Sequence, residues 1–134
     1  MATKKAPVYG FILRGETSDA RLFGQCSLQG NALSGSVAIN TPSWSCWVAI
    51  TSLVFVDGQA LFAGAGTTLP SRDDVVVEGI VTAKGIQYKV TTIPDAGEDA
   101  VVLADTKSIV PFTAGAAQVV PAPVPFALPL TTGA

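Results

Sequence analysis

Asp57-Gly58 stands between two apolar runs, Ser45 to Val56 and Gln59 to Ala63, and this dipeptide constrains the fold more than any other feature of the chain. A two-residue hairpin turn needs positive φ at its centre, which Asp tolerates and Gly adopts freely. The run before it is long. Val48, Ile50, Ser52, Val54 and Val56 share one face of an ideal strand, while Trp47, Ala49, Thr51, Leu53 and Phe55 share the other. Both faces are largely apolar, which predicts a strand covered on both sides.

The same grammar repeats along the chain. Tyr9 to Leu13 reads as a strand closed by Arg14-Gly15-Glu16. Arg21 to Leu28 reads as a second, with Gln29-Gly30-Asn31 as a turn into Leu33 to Ile39, and Asn40 to Ser43 as a break. Gly64 to Gly66 and Thr67 to Pro70 read as a flexible connection. Val75 to Thr82 and Ile86 to Ile93 form a further hairpin through Ala83-Lys84-Gly85; Val101 to Ala104 and Ser108 to Phe112 are short strands. No segment carries a capped 3.6-residue apolar period, so little or no helix is expected. The expectation is all-β: an antiparallel, hairpin-rich sandwich or small barrel over residues 8–113, with residues 1–7 as an N-terminal extension and residues 114–134 as an extended C-terminal arm.

The arm has its own chemistry. The stretch from Ser108 to Ala134 has no charged side chain, yet holds Pro111, Pro121, Pro123, Pro125 and Pro129. Each proline removes a donor and resists helix and central strand, so such a segment has little internal hydrogen bonding to order it. It can be a disordered tail, a polyproline segment in an aromatic groove, or an arm laid on a neighbouring subunit. The third is the expectation, with Pro121, Pro123, Pro125, Phe126, Leu128, Pro129 and Leu130 as its contacts.

Charge points the same way. Only 13% of the 134 residues are charged, against about 25% in ordinary domains. Between Arg21 and Arg72 the sole charge is Asp57. Neutral surface of that extent is a poor design for a lone monomer, and burial against other subunits removes the difficulty. A net charge of −2 with scattered basic residues argues against nucleic acid. No apolar run reaches the length of a spanning helix, so no membrane partner is expected. The first residues do not read as a secretion signal, which predicts a cytoplasmic site of synthesis. Without an export signal, Cys26 and Cys46 are expected as two buried thiols rather than a bridge.

The chain has no histidine. That excludes Ser-His-Asp and Cys-His catalysis within it, and leaves a zinc site only two cysteines and carboxylates. Asp73-Asp74 with Glu78 fits solvated strand entry better than paired-carboxylate hydrolysis. Asp95, Glu98, Asp99 and nearby Asp105 lack the spacing of a calcium loop and read as a solvated turn. No enzyme activity, metal or cofactor is expected. Ser43-Trp44-Ser45-Cys46-Trp47 is the most distinctive string: tryptophans three apart point to opposite faces of a strand, so one can enter the core and the other meet a partner or a sugar, but the favoured expectation is that both are packed in cores. The functional expectation is a structural subunit of a large symmetric assembly: a homo-oligomeric virion protein that decorates, cements or forms a capsid, contacting itself and neighbouring shell proteins and assembled in the host cytoplasm. The alternative is a β-sandwich module binding a glycan or protein through Trp44 or Trp47.

Overall fold

The structure, a computed structural model, describes residues 7–122. It is all-β, without helix among those residues. Strands β1 (Val8–Glu16), β2 (Arg21–Gln29), β3 (Ala32–Asn40), β4 (Ser45–Val56), β5 (Gln59–Leu69), β6 (Asp74–Val81) and β7 (Gly85–Thr92) form an antiparallel meander. β8 (Val102–Asp105) and β9 (Val110–Pro111) both pair with β7, and β10 (Ala114–Val120) pairs with β1. The order across the sheet is β10-β1-β2-β3-β4-β5-β6-β7-β8.

A single sheet has no second layer to bury its apolar face, so it curls on itself into a half-barrel. Phe11 of β1 reaches Phe62 of β5 with ring centroids 5.6 Å apart and planes tilted by 40°, an arrangement aromatic pairs favour. Around them Leu13, Leu22, Val37, Ile39, Val48, Val77 and Val90 are almost wholly inaccessible. One end is tied shut by the crossing from β9 to β10. The Phe112 amide donates to Lys84 O at 2.9 Å and the Thr113 amide to Glu16 O at 2.7 Å, joining the β6–β7 turn to the end of β1.

The Asp57-Gly58 turn is present as read: Val56 pairs with Gln59, and the two turn residues have φ of 52° and 76°. The strand before it departs from expectation. β4 is covered on one face only: Cys46, Val48 and Ile50 are buried while Trp47, Ala49 and Thr51 are exposed. A bulge then intervenes. Ile50 pairs with Gly64 and Ser52 with Ala63, leaving Thr51 unpaired in the ladder, with its Oγ1 donating to Ala63 O at 3.4 Å. The extra residue exchanges the faces, so Leu53 and Phe55 pack on the core and Val54 and Val56 turn outward. A largely apolar run thus presents apolar side chains to solvent.

Three further differences have physical causes. Residues 64–69, expected as a flexible connection, continue β5, because Gly64 and Gly66 admit close approach to the β4 carbonyls of Ala49 and Trp47. β1 runs to Glu16 and turns at residues 17–20, where the Thr17 amide donates to Ala20 O at 2.9 Å. The sheet also extends past residue 113: the first seven arm residues are β10, paired with β1 from Glu16↔Ala114 to Gly10↔Val120. Their small uncharged side chains suit an edge strand as well as an arm. Pro121 is described and exposed; Pro123, Pro125, Phe126, Leu128, Pro129 and Leu130 lie outside the described residues.

Cys26 and Cys46 are free, buried thiols. Burial pushes both up to about 11 from an ordinary 9.0, a hydrogen bond from the Ile39 backbone partly opposing the shift at Cys46. Tyr88 moves upward too, through burial first and then the negative charge of Asp19. Because folding raises these pKa values, their contribution to stability is complete below about pH 9 and is lost as pH rises towards about 11. Urea midpoints should therefore fall across that window and hold steady from pH 6 to 8 as far as these groups are concerned; Cys26→Ala/Cys46→Ala should flatten the fall. Phe62→Ala, which empties the centre of the curl, should cost about 3–5 kcal/mol in the same measurement.

Candidate functional site

The two tryptophans take different roles. Trp44 closes the β3–β4 turn, where Thr41 acts as a clamp: its Oγ1 donates to Trp44 O at 2.7 Å and accepts from the Trp44 amide at 3.0 Å. That fixes the indole against the core, half-buried. Trp47 does not pack in a core as expected: it lies on the outer face of β4 and is 58% exposed, because strand alternation turns it away from buried Cys46 and Val48.

Trp47 does not stand alone. The ladder pairs Arg14 with Phe23, Phe23 with Ala38, and Ala38 with Trp47. Strands lie about 4.8 Å apart, so Phe23 and Trp47 flank a small residue at about twice that separation. Phe23 is 45% exposed. The result is a depression of about 460 Å³ with aromatic walls, Ala38 on its floor, and Gln25 and Ser36 alongside. It shares Ile12 and Gln25 with a second depression of about 370 Å³, which continues to Val8, Gly10 and Val120. Together they form a trough across the outer faces of β10 and β1–β4.

Charge is confined to the margins of the outer face. Glu16 and Arg21 form an exposed ion pair at 3.6 Å at one end of β1 and β2. Glu78 faces Lys89 across β6 and β7. The strands between carry none, apart from Asp57 at the tip of the β4–β5 turn. Arg14 is the single charged residue lining either depression of the trough.

The remaining sequence candidates are not brought together. Asp95 and Glu98 occupy an exposed turn in which the Glu98 amide donates to Asp95 O at 3.0 Å and Glu98 Oε1 accepts from the Asp95 amide at 3.3 Å. Asp105 caps its own turn, accepting from the Lys107 amide at 3.0 Å. Among the described residues no three His, Cys, Asp or Glu side chains are grouped to hold a metal ion. Phe23 and Ile12 were missed in the sequence, although a signal existed. Phe23 shares its strand parity with Arg21, Gln25 and Ser27, and Ile12 with Arg14 and Glu16, so both were readable as outward-facing.

No family model, curated protein or solved structure matches this chain.

The geometry separates the indoles spectroscopically. Acrylamide should quench a red-shifted component belonging to Trp47, and Trp47→Phe should remove it, leaving blue-shifted emission from Trp44. Because Trp47 contributes little to the core, the substitution should change stability by no more than about 0.5 kcal/mol.

Proposed function

We propose that this chain is a non-enzymatic structural subunit of a large symmetric assembly, a virion protein that decorates, cements or forms a capsid. The observation carrying this reading is the outer face of β2–β5, where exposed Phe23, Trp47, Val54, Val56 and Leu69 share a surface almost without charge. Monomeric proteins rarely expose contiguous apolar patches above a few hundred Å². Copies meeting across such a face are held by apolar burial, with the charged strands left at the rim as interface anatomy favours. Closed symmetry uses the same patch on every copy. A shell built in the host cytoplasm supplies the neighbours this surface requires, and its other proteins are the natural second class of partner.

A second reading draws on the composition of the trough. Trp47 and Phe23 with the Gln25 amide and Ser36 hydroxyl are what a sugar ring takes from a protein: a stacking face and hydrogen-bond partners. Titration of Trp47 fluorescence with a glycan panel separates the two, since saturable quenching lost in Trp47→Ala supports the glycan module.

For the assembly reading the measurement is mass by light scattering over a range of concentrations. The full chain should run as multiples of 13.7 kDa, and Phe23→Ser/Trp47→Lys should shift it towards monomer with its β circular dichroism intact. A full-length chain that stays monomeric at the highest soluble concentration overturns the reading.

A further inference from the structure

We propose that the trough between Phe23 and Trp47 is the receptor for the proline-rich segment 121–130 of a second copy of this chain. The inference rests on the assembly reading and specifies its contact.

The receptor chemistry suits proline. Aromatic side chains separated by a small floor residue make a slot that takes the ring of a polyproline-type ligand, whose conformation is already extended before it binds. Here Phe23 and Trp47 are the walls and Ala38 the floor, placed opposite one another by the ladder. Gln25 and Ser36 line the same depression, where they can donate to ligand carbonyls that have no intrachain partner. The continuation past Ile12 to Val8 supplies an apolar extension for larger side chains.

The occupant follows from where the described chain ends. Ala122 is followed by twelve uncharged residues including Pro123, Pro125, Phe126, Leu128, Pro129 and Leu130. In a polyproline-type chain, with three residues per turn, Phe126 and Pro129 fall on one side. An uncharged ligand also matches a trough whose lining holds one charge, Arg14.

Direction selects another copy as the source. β10 runs antiparallel to β1, so the chain leaves at Val120 beside Gly10, whereas Phe23 is level with Arg14. Reaching its own Phe23 would require a reversal soon after Val120. Pro121, Pro123 and Pro125 fix their own φ and disfavour the helical region at Val120, Ala122 and Val124. The segment of a neighbouring copy needs no such reversal to reach this Phe23, which favours it as the occupant.

The test uses the full chain with a photo-cross-linking residue at position 127 in place of Ala127, in an equimolar mixture of ¹⁴N- and ¹⁵N-labelled copies. Mixed-isotope cross-links to peptides containing Phe23, Ala38 or Trp47 are expected. Trp47→Ala should reduce them at least about tenfold, as loss of an interface anchor does, while Trp47→Tyr retains most of them. Cross-links confined to single-isotope pairs would show a chain covering its own trough and overturn the inference, as would mixed-isotope links mapping elsewhere. In that last case an intact assembly by light scattering leaves the subunit reading standing. A monomeric mixture with no mixed links overturns both.

Discussion

The curl of one sheet onto itself governs everything else in this molecule. A β-sheet with one apolar face must bury that face against something, and with no helix among the described residues and no second sheet the partner is the sheet's own far side. Contact between Phe11 and Phe62, four strands apart in the sheet order, is where that requirement is met. Curling fixes which residues face outward as firmly as which face inward, because side chains alternate strictly along a strand. Trp47 is outside for the same reason that Cys46 and Val48 are inside.

The Thr51 bulge shows how local register reaches function. Without the extra residue, Val54 and Val56 would share the inner face with Ile50, and Leu53 and Phe55 would point outward. With it, the exchange puts the bulkier Leu53 and Phe55 against the core, leaving two valines on a surface that already carries Phe23 and Trp47. Apolar residues are then present on both faces of the sheet, and among the described residues only the inner face is covered.

The alternation rule made the hairpins legible in the sequence, and Asp57-Gly58 fixed one of them unambiguously because few other residues accept its backbone. Coverage was harder to read. A largely apolar run such as Val48 to Val56 looks much the same whether it is sandwiched between layers or bulged with one face bare, and the pairing partner distinguishes them. Gly64 and Gly66 were misleading in the same way: glycine in sequence reads as a loop, whereas here it lets neighbouring backbone approach within β5. Trp44 and Trp47 were recognisable as residues of different orientation. That Phe23 and Ala38 would stand beside Trp47 depended on the registers of β2, β3 and β4, which no local pattern specifies.

Both edges of the sheet are poor templates for a further strand. β8 is only four residues long and its pairing with β7 is interrupted by a register shift at Val90 and Thr91, features that blunt an edge. At the other edge, amides along β10 alternate between β1 and the open side, and Ala117 points to the open side, donating to Ala83 O at 3.5 Å. Val119 and Pro121 share that parity. At Pro121 the donor that an incoming strand would need is missing, and in the sequence Pro123 and Pro125 continue the same spacing. An edge that lacks a donor at Pro121 resists open-ended sheet growth.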